Sequence, residues 1–101
     1  MVVSRRTPHD SLMTSLHIEH RVNDLEPWLE TFQSFDEFRV DGGVKAVQLR
    51  HDVDNPNYIA VDLEFESVAQ ARAFLARLET QIWPNNAHFD GTPATHILES
   101  I

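Results

Sequence analysis

His20 is placed where a side chain can do chemistry. It falls in the run Leu16-His17-Ile18-Glu19-His20-Arg21-Val22, where apolar and polar residues alternate. That is the period of a strand with one buried face. His20 interrupts the apolar side between Ile18 and Val22, so its ring points inward. A neutral imidazole there takes a proton as a general base or hydrogen-bonds a substrate oxygen. The competing reading of the same placement is a core histidine satisfied by backbone or water. His51 ends a second apolar strand beside a loop, and His88 lies in a polar loop. His96 and Tyr58 lie at strand starts. Trp28 and Trp83 fall on helical apolar stripes, with Phe32 one turn after Trp28. An indole is a flat apolar wall with a single N–H, which suits an aromatic ligand. The candidate catalytic residues are therefore His20, His51 and His88. The candidate substrate-binding residues are Trp28, Phe32, Tyr58, Trp83 and His96.

Other chemistries lack their residues. The chain has no cysteine, which excludes thiolate nucleophiles, disulfides and cysteine-bound zinc. Gly42-Gly43 is a lone pair entering a strand, not a phosphate-binding loop, and no serine-nucleophile motif occurs. No metal site is expected. His17 and His20 point to opposite faces of one strand. His20 and His51 are two strand spacings apart, roughly 9–10 Å. His20 and His96 fall on neighbouring strands but lack a third ligand. Asp62 and Glu64 share a strand face and read as salt-bridge partners across a dimer rather than as an acid and a base.

The 101 residues suit one domain, with Met1–Leu12 as a flexible tail and 13–101 as the folded unit. Sixteen acidic against eight basic residues give a net charge of −8, which disfavours nucleic acid and anionic membranes as partners. No apolar run is long enough to span a bilayer, and Arg5-Arg6 are not followed by the apolar core of a secretory signal. A cytoplasmic location is the expectation.

The elements that position these residues follow from periodicity. A first strand covers Met13 to Val22. Asp24 is placed as an N-cap, and Leu25, Trp28, Leu29, Phe32 and Phe35 form the stripe of a helix that runs to about Phe38. Asp41-Gly42-Gly43 breaks it. A hairpin follows over Val44 to Phe65, turned by Asp52-Val53-Asp54-Asn55-Pro56-Asn57. Opposing Leu49 with Val61 and Val47 with Leu63 gathers His51, Ile59 and the other apolar residues on one face. Ser67 and Gln70 open a second helix through Trp83. Asn85 to Pro93 reads as a polar loop, and Thr95 to Ile101 as a last strand. Right-handed crossovers turn this order into an α+β, ferredoxin-like split βαββαβ fold. Its four-stranded antiparallel sheet has order 4-1-3-2, with both helices on one face. In that topology His20, His51, Tyr58, His96, Trp28, Trp83 and His88 collect at one rim.

The chain resembles the dimeric α+β barrel proteins, in particular small stand-alone domains related to the antibiotic biosynthesis monooxygenases. The resemblance is carried by Asn23-Asp24-Leu25-Glu26-Pro27-Trp28, by Asp41-Gly42-Gly43-Val44, by Asp54-Asn55-Pro56-Asn57 and by the stretch Phe65 to Leu75. It covers Met13 to Ile101. It implies a homodimer through the open sheet face, with a ligand cavity between sheet and helices. It also implies a cofactor-free monooxygenase, isomerase or cyclase acting on a small aromatic or polyketide-like molecule. The haem-degrading branch of that fold uses a histidine on its second helix; Ser67 to Trp83 contains none, which argues against haem though not against other ligands, and the resemblance implies no cofactor. A non-catalytic ligand-binding or oligomerisation module is the alternative.

Overall fold

A computed structural model describes residues 14–85 and 89–101. The expected tail, Met1–Leu12, lies outside them. The elements are β1 (Thr14–Val22), α1 (Leu25–Ser34), α2 (Asp36–Asp41), β2 (Ala46–His51), β3 (Tyr58–Phe65), α3 (Val68–Arg77) and β4 (Phe89–Glu99). The strands form one antiparallel sheet of order β2-β3-β1-β4, the expected 4-1-3-2 arrangement in reverse. Register follows the apolar pattern. Leu16 opposes Leu63, and Ile18 opposes Val61. On the other side of β3, Leu49 opposes Val61 and Val47 opposes Leu63. Thr14, Leu16, Ile18, His20 and Val22 of β1 and Ile59, Val61, Leu63 and Phe65 of β3 are buried. The core therefore lies between the two central strands and the helices. Edge strand β2 stays exposed throughout.

The β2–β3 turn is closed as its Asx residues require. The Asp52 carboxylate accepts from the Asp54 N–H, and the Asn55 side chain accepts from the Asn57 N–H. At the start of α3, Ser67 Oγ accepts from the Gln70 N–H, and Gln70 Oε1 accepts from the Glu66 N–H. Asp24 has the extended backbone of an N-cap, but its carboxylate makes no capping hydrogen bond.

Three expectations are corrected. The first helix does not run unbroken to Phe38; it breaks at Phe35 into α1 and α2. The break is held by the Phe32 carbonyl, which accepts from both the Phe35 N–H and the Arg39 guanidinium. The second helix keeps its path but not its pitch. After Arg77 it widens into a π-helical turn, Leu78–Ile82, then tightens into a 3-10 turn, Trp83–Asn85. Pro84 has no N–H to donate to the Thr80 carbonyl and its ring clashes there, so regular α pitch cannot continue. Finally, β4 begins at Phe89 rather than Thr95. Gly91, at φ +96°, and Pro93 act inside the strand as an irregularity, not as a loop. The β1–β4 register passes from Glu19–Ala94 to Arg21–Asp90, so the extra residues of β4 sit level with His20.

Gly42 is required by packing. Its φ is −81°, which any residue adopts. However, a Cβ there would lie 2.3 Å from Cδ1 of Phe74. Phe74 is 1% exposed and packs against Phe38 and Phe65. Gly42→Ala is expected to destabilise the fold by about 1–3 kcal/mol, the usual cost of overpacking, read as a lower midpoint in urea with an unchanged slope.

Candidate functional site

His20 is 5% exposed, and it meets Trp28 edge-on, with ring centroids 5.7 Å apart at 65°. Trp28 stacks on Phe32 one turn later, at 5.0 Å and 30°. On Phe32 sits the Arg39 guanidinium, 3.8 Å from the ring centroid. Imidazole, indole, phenyl and guanidinium thus form a column along α1. The column faces a cavity of about 60 Å³. Ile18, Val61, Leu63, Phe74, Leu78, Ile82 and Trp83 complete its apolar wall. A single water needs about 10–15 Å³ of such space, so the cavity has room for several. The π-helical turn supplies Leu78 and Ile82, and the 3-10 turn supplies Trp83.

Burial pushes the His20 imidazole down to about 4, against a smaller upward pull from a backbone hydrogen bond at Arg21. The ring is therefore neutral at physiological pH, and its chemistry is that of a hydrogen-bonding, proton-accepting group. Desolvation also lowers the Arg39 pKa, opposed by Asp36, yet an arginine starts so high that it stays charged.

The structure brings His20, Trp28, Phe32 and Trp83 together at one cavity. It does not bring His51, Tyr58 or His96 there. His51 lines a separate groove of about 80 Å³ with Leu25, Leu29 and Leu49, on the far side of Trp28. Ile59 opposes both His20 and His51, which fixes the two histidines two strands apart. His88 lies outside the described residues. Tyr58 and His96 are on the opposite, open face of the sheet. Tyr58 opposes Arg21 and donates its hydroxyl to Glu19. His96 opposes His17 in mid-strand, because β4 starts six residues earlier than its sequence suggests and carries His96 away from the rim. Sequence reasoning missed Arg39. Its signal was present: Arg39 falls seven residues after Phe32 and four after Phe35, on the same stripe.

The open face carries its own polar chain. Arg50 donates to Asp62 at 2.7 Å, His17 Nδ1 lies 2.7 Å from Asp62, and His17 Nε2 lies 2.8 Å from Glu19. Only a doubly protonated ring can donate to both carboxylates. Glu19, then Asp62, raises the His17 pKa accordingly. Asp62 thus has its salt-bridge partners within its own chain. Among the described residues no three histidine, aspartate or glutamate side chains are grouped to hold a metal ion, and no helix is long and apolar enough to cross a membrane.

No family model matches the sequence, and no curated protein does. Solved structures do match. A protein from Nitrosomonas europaea, provisionally described as an antibiotic biosynthesis monooxygenase, superposes with a TM-score of 0.71 at 12% identity, over 89% of this chain and 91% of that one. A similarly described protein from Bordetella bronchiseptica gives 0.72 at 15% identity, over 88% and 97%. SnoaB, a cofactor-independent oxygenase from Streptomyces nogalater, gives 0.68 at 14% identity, over 88% and 93%. At such identities the likeness is one of fold: the chain has the ferredoxin-like α+β fold of the antibiotic biosynthesis monooxygenase-type proteins.

His20 makes stability depend on pH in a stated direction. Its folded pKa lies below the unfolded value, so between pH 6.5 and about 4 the unfolded chain takes up a proton that the folded chain refuses. Stability then falls as pH drops through that window. His17 acts in the opposite sense: its raised pKa stabilises the fold at low pH and is lost as pH rises. Comparison with His20→Gln isolates the first effect. Between pH 7 and pH 4.5 the wild type is expected to lose about 2–3 kcal/mol more stability than the variant, measured by urea unfolding at both pH values.

Proposed function

We propose that the cavity beside His20 binds a small aromatic or polyketide-like molecule and promotes its cofactor-free oxygenation, isomerisation or cyclisation. The observation that carries this reading is a neutral imidazole buried edge-on against Trp28 at the wall of an apolar cavity. The fold likeness to a cofactor-independent oxygenase supports it, although shared fold is a weak guide to chemistry. In the oxygenase version His20 holds the substrate's hydroxyl or enol oxygen and receives its proton. The resulting anion carries the electrons that dioxygen needs. A ring CH₂ becomes C=O, one oxygen atom is retained, and the other leaves as water with the two hydrogens. Trp28, Phe32 and Trp83 hold the ring in place, which lowers the entropic part of the barrier.

A second reading, a non-catalytic binding module, is favoured by one observation. A conjugate acid near 4 makes His20 a weak base at neutral pH. One experiment separates the two. Thermal-shift titration with naphthols, hydroquinones and aromatic acids identifies a ligand, and an oxygen electrode or product analysis then reads turnover. The catalytic reading expects His20→Gln to keep the ligand-induced shift while turnover falls roughly 10²–10⁴-fold. Binding without conversion of any compound would leave the module reading standing instead.

The reading includes a homodimer closed through the open sheet face, with each partner covering the other's Ala46, Ala60 and Leu98. Leu98 is 50% exposed on that face, and an isologous pairing of two such sheets is the commonest way to cover one. Sedimentation equilibrium is expected to give the mass of two chains. Leu98→Asp is expected to shift the population to one chain; a monomeric wild type would overturn the dimer.

A further inference from the structure

We infer that Arg39 is the charge-recognition residue of the cavity and that the ligand is an aromatic anion, a ring bearing a carboxylate or phenolate. This deepens the proposed function and rests on its claim that the cavity holds a ring. Arg39 is 7% exposed, although arginine is almost never buried unless it is paired. Its pairing is thin. Nη1 donates to the Phe32 carbonyl at 2.8 Å. Nη2 lies 3.6 Å from Asp36, whose side chain is 78% exposed and therefore strongly screened. Nε is buried with no hydrogen-bond partner among the described residues. A guanidinium has five N–H donors, and the protein occupies few of them. The face of the group is fixed by stacking on Phe32, and the group lines the same cavity as His20 and Trp83. A planar cation with spare donors, at the edge of a hollow walled by aromatic rings, matches a planar anion attached to a ring.

A purely structural role accounts for only part of this. The Nη1 hydrogen bond to the last turn of α1 is the favourable placement of a cation at a helix C-terminus. One hydrogen bond does not require a group this costly to bury, nor one placed against the cavity. His20 does not compete for the role, because it is neutral at physiological pH. The protein's net charge of −8 opposes anions at long range, so a local cation is what would let one enter.

The test uses two ligands of nearly equal shape and different charge, 4-hydroxybenzoate and 4-hydroxybenzamide, titrated calorimetrically against the intact chain at pH 7.5. The wild type is expected to bind the acid at least tenfold more tightly than the amide. Arg39→Gln is expected to bind the two equally. Arg39→Lys, which keeps the charge but not the planar fork, is expected to retain part of the preference. Equal binding of acid and amide by the wild type would overturn the role of Arg39 and leave the aromatic cavity standing. Binding of neither would overturn the cavity reading and this inference with it. If Arg39→Gln does not fold, the wild type and Arg39→Lys still decide, through the ratio of the two affinities.

Discussion

The site depends on the four-membered column of His20, Trp28, Phe32 and Arg39. Two of its members sit one helical turn apart on α1, so their contact is local and follows from helix geometry alone. The end members come from elsewhere: His20 from the central strand β1, Arg39 from α2 beyond the break. The column therefore ties sheet, first helix and second helix together across one side of the cavity. It also explains why the helix breaks where it does. An unbroken α-helix would give the Phe32 carbonyl to the residue 36 N–H and would place Arg39 further along the cylinder. The break instead gives that carbonyl to Arg39, which folds back over Phe32. The opposite wall is irregular for its own reason, since Pro84 forces α3 out of α pitch just as Leu78, Ile82 and Trp83 reach the cavity. Two local departures from ideal helix thus leave a hollow that two regular helices would close.

The two faces of the sheet divide the titratable groups into distinct electrostatic settings. Toward the helices His20 is desolvated and loses its proton readily. Toward the open face His17, three residues away, is clasped by Glu19 and Asp62, which raise its affinity for a proton. Alternation along one strand is enough to produce this contrast. The open-face chain from Arg50 through Asp62, His17 and Glu19 to Tyr58 crosses all but the last strand of the sheet. Each polar group on it already has a partner within the chain. These paired groups can be covered by another sheet at lower cost than a merely solvated row of side chains.

Where the sequence was legible, the reason was periodicity. The alternation of Leu16, Ile18, His20 and Val22 fixed both a strand and the face from which His20 points. The hairpin register that keeps Val47, Leu49, Val61 and Leu63 together on one face is the one seen. The failures share a different cause. Asp90-Gly91 and Pro93 carry the local chemistry of a turn, yet tertiary pairing with β1 absorbs them as an irregularity in β4. Arg39 was read past because its charge marks a solvated helix face, the usual outcome for arginine. Only its place on the Phe32–Phe35 stripe argued otherwise. His96 was misplaced because its position at a rim depended on where β4 begins, and strand ends are the least determined feature of a pattern reading.

His20 and Arg39, the titratable residues of the cavity lining, both respond to a charge that enters the cavity. Desolvation sets the His20 pKa, and among the described residues no carboxylate lines the cavity. An anion bound there adds an opposite charge beside a buried imidazole, and in a water-poor setting that interaction is much stronger than at the surface. It raises the proton affinity of His20, just as Glu19 and Asp62 raise that of His17 on the other face. Under the proposed function, an anionic ligand would thus strengthen the weak base that His20 is on its own. The same step gives the Arg39 guanidinium the counter-charge that Asp36, largely in solvent, supplies poorly. Under that proposal, one anionic ligand would offset both the desolvation of His20 and the thin pairing of Arg39.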